Sequence, residues 1–188
     1  MQDIAMISLE LIQNSVSAKA SKIDFTLALA QEDGTSTMII ADNGCGMDEA
    51  TLAKVSSPFF TSRTTRKVGL GVAFFKQAIQ QAAGSWNITS ALNQGTTVNG
   101  TWESKHWDAP PLGNLGEVIL ILLQGHPEIH LVFNFSTNSS VYTFDSKTFE
   151  ASIAPVPLSE PAILKWIESE INTNIQNCKG GIDYEKSR

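Results

Sequence analysis

The chain has 188 residues, 42% of them hydrophobic, which is enough for a real core in one large domain or two small ones and excludes a disordered chain. Its net charge of −6 gives no broad electrostatic footprint for nucleic acid, and Cys45 and Cys178 are too few for a disulfide framework. No signal peptide and no apolar run of membrane-spanning length is seen, the longest being Val118 to Leu123, so a cytoplasmic protein without membrane insertion is expected.

At about 100° per residue, Ile4, Ala5, Ile7, Leu9, Leu11, Ile12 and Val16 occupy one face of a first helix. Asp3, Met6, Glu10, Gln13 and Asn14 gather opposite. Glu10 and Asn14 are thus neighbours one turn apart. An amide oxygen there is a suitable hard ligand for Mg²⁺ bridging nucleotide phosphates, and a carboxylate beside it can orient or deprotonate a water. Taken alone, the same pair also fits a solvated helix face.

Ile23, Phe25, Leu27 and Leu29 alternate with polar or small residues, a half-buried strand, and Gln31–Thr35 turns it into a second strand ending at Asp42. Asp42-Asn43-Gly44-Cys45-Gly46-Met47 follows directly. A carboxylate at the end of a strand can accept a hydrogen bond from an exocyclic amine, and the alternating glycines let backbone approach a flat ring. That chemistry suits adenine, although an ordinary tight turn has the same residues. Asp48 then caps a short helix through Lys54.

From Pro58 to Lys67, hydroxyls and cations run into Val68-Gly69-Leu70-Gly71 and an apolar helical pattern. Bare amides and the positive end of a helix dipole face whatever binds there, and an anion is the natural ligand. The helix extends from about Gly69 to Ala83, where Gly84 stops it. Trp86 to Leu92 and Thr96 to Trp102 alternate about Asn93-Gln94-Gly95, a second hairpin.

In this order, the three motifs resemble the GHKL ATP-binding fold of gyrase, a heat-shock chaperone, histidine kinases and mismatch-repair ATPases. Glu10 with Asn14 resembles its N box, Asp42 to Met47 its first glycine box, and Gly69-Leu70-Gly71 its second. Phe59-Phe60-Thr61-Ser62-Arg63 is similar to the segment that introduces the lid in histidine kinases, so the histidine kinase-like ATPase branch is nearest. The resemblance covers Met1 to about Trp102. It implies an α+β, Bergerat-type two-layer sandwich, a mixed sheet with helices on one face, binding ATP with Mg²⁺.

In that reading Glu10 is the general base of any hydrolysis and Asn14 holds the metal. Asp42 reads adenine, with Gly44, Gly46, Met47, Gly69, Leu70 and Gly71 shaping the pocket. Thr61, Ser62, Arg63, Arg66 and Lys67 meet phosphates, and Thr97 supports the adenine through water. The resemblance further implies a regulatory protein acting on a separate protein partner by phosphotransfer or switching. Slow hydrolysis and an anti-sigma-like binding module stay open, as does a homodimer. Short stand-alone proteins of this type are also associated with iron hydrogenase systems.

The chain departs from the histidine-kinase pattern in three places. Lys67 stands where another glycine is usual. A strand and helix that normally precede the N-box helix are missing, so one sheet edge is either absent or supplied by the C-terminal segment. The paired helices with a phosphoacceptor histidine are also missing, since His106, His126 and His130 all lie beyond the nucleotide module.

The organisation expected is an ATP-binding domain over 1–104, a linker over 105–111, and a small α-β-β-α extension over 112–178 docked on it. A flexible tail over 179–188 ends the chain. Leu115, Val118, Ile119 and Leu122 mark the extension's first helix, Ile129 to Phe135 and Val141 to Asp145 its strands. Ser159 caps its last helix, with Ile163, Trp166, Ile167 and Ile171 as the buried stripe.

Overall fold

The computed structural model describes residues 3–30, 33–56 and 71–180. The first helix, α1 (Ile4–Ser17), is capped by the Asp3 side chain, whose Oδ1 accepts from the Met6 amide at 2.7 Å. Its first two amides donate to the carbonyls of Pro111 and Leu112, so the junction between the expected linker and extension closes the start of α1. Ile4, Ala5, Ile7, Leu11 and Ile12 are buried as the periodicity predicts. Ser8 and Ser15 are buried with them.

Strand β1 (Lys22–Ala28) pairs antiparallel with β2 (Thr35–Asp42), and the short helix α2 (Glu49–Ser56) starts at Asp48, whose carboxylate accepts from the Thr51 amide at 2.7 Å. Helix α3 (Gly71–Gln81) precedes the hairpin of β3 (Ser85–Ala91) and β4 (Gly95–Glu103). The expected helix start at Gly69 lies outside the described residues. Ala83 follows α3 with φ +53, and the Gly84 amide bonds back to the Ile79 carbonyl, so Gly84 closes the helix as expected.

The C-terminal segment contributes α4 (Leu115–Gly125), β5 (His130–Ser136), β6 (Val141–Asp145), α5 (Ser146–Ile153) and α6 (Pro161–Lys179). Its strands extend the sheet of the first half. The six strands run in the order β3-β4-β2-β1-β5-β6, with β5 parallel to β1 and every other neighbour antiparallel. The edge of β1 away from β2 is filled by β5.

One face of this mixed sheet is dry. Ile23, Phe25 and Leu27 of β1 and Leu131, Phe133 and Phe135 of β5 are fully buried there, with the Phe25 and Phe133 rings 5.0 Å apart. Helix α1 packs against both α3 and α4, and α4 against α6, so one α-layer covers both halves. This is the α+β two-layer architecture that the resemblance implies.

Three local expectations need correction. Helix α5 was not anticipated; Asp145, read only as a strand end, caps it by accepting from the Lys147 and Thr148 amides. The last helix is preceded by Glu160 rather than capped by Ser159, and no side chain bonds its first amides. Pro161 at its start has no amide to satisfy. Trp166 leaves the buried stripe and is 50% exposed, stacked on Phe149, while Leu164 and Ile175 join Ile167 and Ile171 in the core.

Candidate functional site

The end of β2 meets the C-terminal end of α1 at Asp42. One carboxylate oxygen accepts from the Gly44 amide at 2.8 Å and the other from the Ser15 hydroxyl at 2.8 Å. An ionised carboxylate has about four acceptor sites, so these two bonds fix its orientation and leave capacity on both oxygens. Ser15 was not among the sequence candidates. Its signal is positional: Ser8 and Ser15 lie seven residues apart within the apolar stripe of α1, where a buried hydroxyl requires a partner.

The loop after Asp42 is held from three sides. The Asn43 side-chain oxygen accepts from the Ser21 and Lys22 amides at 2.9 and 2.8 Å. The Cys45 amide donates to Ala18 and its carbonyl accepts from Asn93, both at 2.8 Å. The Met47 amide donates to the Ser90 hydroxyl at 2.9 Å. Gly44 is buried so closely under Ala18 that a Cβ would sit 2.7 Å from its carbonyl oxygen. Gly46 has φ +63, and a side chain there would collide with the Ala91 carbonyl. Beyond the loop, the Thr51 hydroxyl and amide hold the Asp48 carboxyl below its ordinary range.

On α1, Asn14 presents a buried side-chain nitrogen with no hydrogen-bond partner among the described residues. A buried amide is ordinarily paired, and an unpaired one costs about 1–3 kcal/mol. Which end of the amide carries the nitrogen is an assignment, so the side chain as a whole is what lacks a partner. One turn earlier, the half-buried Glu10 carboxylate makes no hydrogen bond or ion pair among the described residues. Gly71, at the start of α3, fits against Glu10 so tightly that a Cβ would lie 2.9 Å from the Glu10 carbonyl carbon. The N-terminus of α3 thereby lies beside the polar face of α1, where its first amides and dipole favour an anion.

Of the sequence candidates, Glu10, Asn14, Asp42, Gly44, Gly46, Met47 and Gly71 converge on this corner of the fold. Thr61, Ser62, Arg63, Arg66, Lys67, Gly69 and Leu70 lie outside the described residues. Thr97 does not join the cluster. It pairs with Ala41, and strand alternation puts both on the sheet face away from α1, whereas Thr96 pairs with Asp42 and shares its face. A one-residue difference in register moves a side chain to the other side of the sheet. Thr96 is tied in as well, its hydroxyl 2.9 Å from that of Ser90. Among the described residues no group of three or more His, Cys, Asp or Glu side chains is placed to hold a metal.

A family model for histidine kinase-, DNA gyrase B-, and HSP90-like ATPases matches residues 2–105, more than half of the chain. The chain belongs to this family. It is 34% identical over 103 residues to a putative sensor protein of Shewanella frigidimarina, covering 52% of this chain and 15% of that protein. It is 28% identical over 103 residues to a probable C4-dicarboxylate sensor kinase of Bacillus subtilis, covering 52% of this chain and 19% of the kinase. The chain thus spans less than a fifth of these curated relatives. Among solved structures it is similar to the Aquifex aeolicus MutL ATPase domain complexed with ADP, at TM-score 0.47 and 13% identity, covering 73% of this chain and 61% of that one. The family match covers α1 to β4, so the boxes around Glu10, Asn14, Asp42 and Gly71 all fall within it. Among the described residues no helix of this family member is long and apolar enough to cross a membrane.

Proposed function

We propose that the protein is a regulatory ATP-binding module that acts on a separate protein partner by phosphotransfer or by nucleotide-dependent switching. The observation that carries this reading is Asp42, whose two oxygens are oriented by Ser15 and Gly44 yet retain acceptor capacity at the end of β2. That arrangement suits an exocyclic amine. Asn14 would hold Mg²⁺ bound to the phosphates, Gly44 and Gly46 would admit the base, and the start of α3 would face the phosphates. Arg63, Arg66 and Lys67 are proposed to supply positive charge there. Bound Mg²⁺ would neutralise phosphate charge and order the chain of oxygens.

Calorimetry with ATP and GTP tests the assignment. Guanine places a carbonyl where adenine has its amine, which leaves a carboxylate facing an acceptor. Discrimination of about 5–150-fold is expected, the equivalent of one unpaired buried acceptor at about 1–3 kcal/mol. Asp42→Asn should reduce it. Equal affinity for the two nucleotides, or an unchanged preference in the variant, removes the role assigned to Asp42.

A second reading, slow ATP hydrolysis, draws on the unengaged Glu10 carboxylate beside Gly71. Glu10→Ala should then lower phosphate release by about 10²–10⁴-fold while nucleotide affinity stays within a few-fold of wild type. Turnover that survives the substitution excludes Glu10 as the base.

A further inference from the structure

Strand β6 forms one end of the sheet, and among the described residues no strand pairs with its outer side. The Thr137 amide donates to the Ser140 carbonyl at 2.9 Å and closes the β5–β6 turn as a hydrogen-bonded pair. Antiparallel pairs alternate between hydrogen-bonded and non-hydrogen-bonded, so along the register Ser136↔Val141, Phe135↔Tyr142, Asn134↔Thr143 the odd-numbered residues of β6 are turned outward. The Leu29 amide agrees, because it donates to the carbonyl of Ser136, which therefore points toward β1 rather than β6. Val141 and Thr143 thus aim their N–H and C=O groups away from the sheet, and Asp145 its N–H, while the Asp145 carbonyl, at the cap of α5, serves that helix as its first acceptor.

Proteins usually guard such an edge with lysine, proline or a bulge. The run Val141-Tyr142-Thr143-Phe144-Asp145 has none of these, and Val141 is 75% exposed. Beneath the strand, Phe144 packs on Phe149 at 5.8 Å between centroids, and Phe149 stacks on Trp166 at 5.3 Å. An apolar row thus runs from the strand through Phe149 to the half-exposed Trp166. The opposite edge differs: α2 packs against β3, and the Lys76 ammonium sits 5.3 Å over the Trp86 ring.

We infer that two copies of this chain pair antiparallel through β6, about a two-fold axis at Thr143, and join their sheets into one. The five-residue strand is self-complementary in that register. Thr143 would face Thr143 of the second copy as a hydrogen-bonded pair, using backbone groups that lack partners among the described residues. Tyr142 would face Phe144 of the second copy in the closer, non-hydrogen-bonded pairing, where aromatic cross-strand contacts are favourable. Val141 would face Asp145, so no like charges oppose each other. A two-fold axis normal to the sheet leaves the helices of both copies on one side.

Sedimentation equilibrium of the full chain across micromolar to hundred-micromolar concentrations tests this without reference to nucleotide. A dimer is expected. Thr143→Pro removes only an outward amide and should give a folded monomer by circular dichroism. Val141→Asp sets two carboxylates opposite each other twice per dimer and should weaken association about tenfold, while Val141→Lys should match or exceed wild type. A monomer at all concentrations overturns the inference. So does a dimer that survives Thr143→Pro and Val141→Asp unchanged, or equal weakening by aspartate and lysine at 141. Should Thr143→Pro fail to fold, the pair of charge variants decides the matter.

Discussion

The Asp42–Met47 loop and strand β6 treat their polar groups in opposite ways. In the loop, Asp42, Asn43, Cys45 and Met47 each have a named partner on α1, β1, β3 or the β3–β4 turn. In β6, Val141, Thr143 and Asp145 leave a row of backbone groups facing outward. A small ligand is bound best by groups that need not move, because their ordering is already complete when it arrives. A row of unpaired backbone groups on a strand instead suits another strand. The same sheet thus carries a loop of already held groups after its interior strand β2 and, among the described residues, an open ladder at its β6 edge.

The strongest way to break this comparison is to ask whether the two regions share one fold. Ile167 of α6 is fully buried, far along the chain from the nucleotide boxes. Ile167→Ala should cost about 2–5 kcal/mol, the usual range for truncating a large core aliphatic. Because β5 pairs with β1, near-UV signals and nucleotide binding should be lost in one transition with denaturant. Two separated transitions would show that the C-terminal segment unfolds on its own.

Much of the first region can be read along the chain, because its elements are built from local patterns. The apolar stripe of α1, the alternation of Ile23, Phe25 and Leu27, and the caps at Asp48 and Gly84 all follow from neighbours within a few residues. The parallel β1–β5 pairing joins residues more than a hundred positions apart, and no local period encodes it. Thr96 and Thr97 are adjacent strand threonines, and only the register with β2 separates their faces. Trp166 sits on the helical period of the buried stripe, yet α5 covers it only through Phe149, and α5 itself was hidden because Asp145 serves both as strand end and as helix cap.

A sharper probe of the prepared corner is Ser15→Ala. The substitution removes one bond to Asp42 without touching the nucleotide, so it should lower stability by about 0.5–1.5 kcal/mol. In the proposed function it should also narrow the ATP-over-GTP preference by a few-fold, since Asp42 would then be held by the Gly44 amide alone. Thermal unfolding and calorimetry on the same variant separate the two effects. A loss of stability with unchanged preference would make Ser15 a structural hydroxyl only.

The smallest effect belongs to the β6 end and appears in the pH dependence. The Asp145 carboxyl is held below its ordinary value first by the Thr148 amide, with His130 and the Lys147 amide adding to this and partial burial opposing it. Its oxygens lie 3.1 Å from the His130 ring nitrogen. A carboxylate with a depressed folded-state pKa contributes stability that is fully present above the unfolded value, about 3.9 for aspartate. That contribution is lost as pH falls from there through the folded value. Asp145→Asn keeps a side chain able to cap α5 but removes the titration. Urea denaturation from neutral pH to below pH 4 should therefore show wild type and variant converging at the acid end, with the variant weaker near neutrality by about 0.2–1 kcal/mol, the size of a solvent-screened charge interaction. A difference that stays constant across the range would assign Asp145 to capping alone, with no share for its charge.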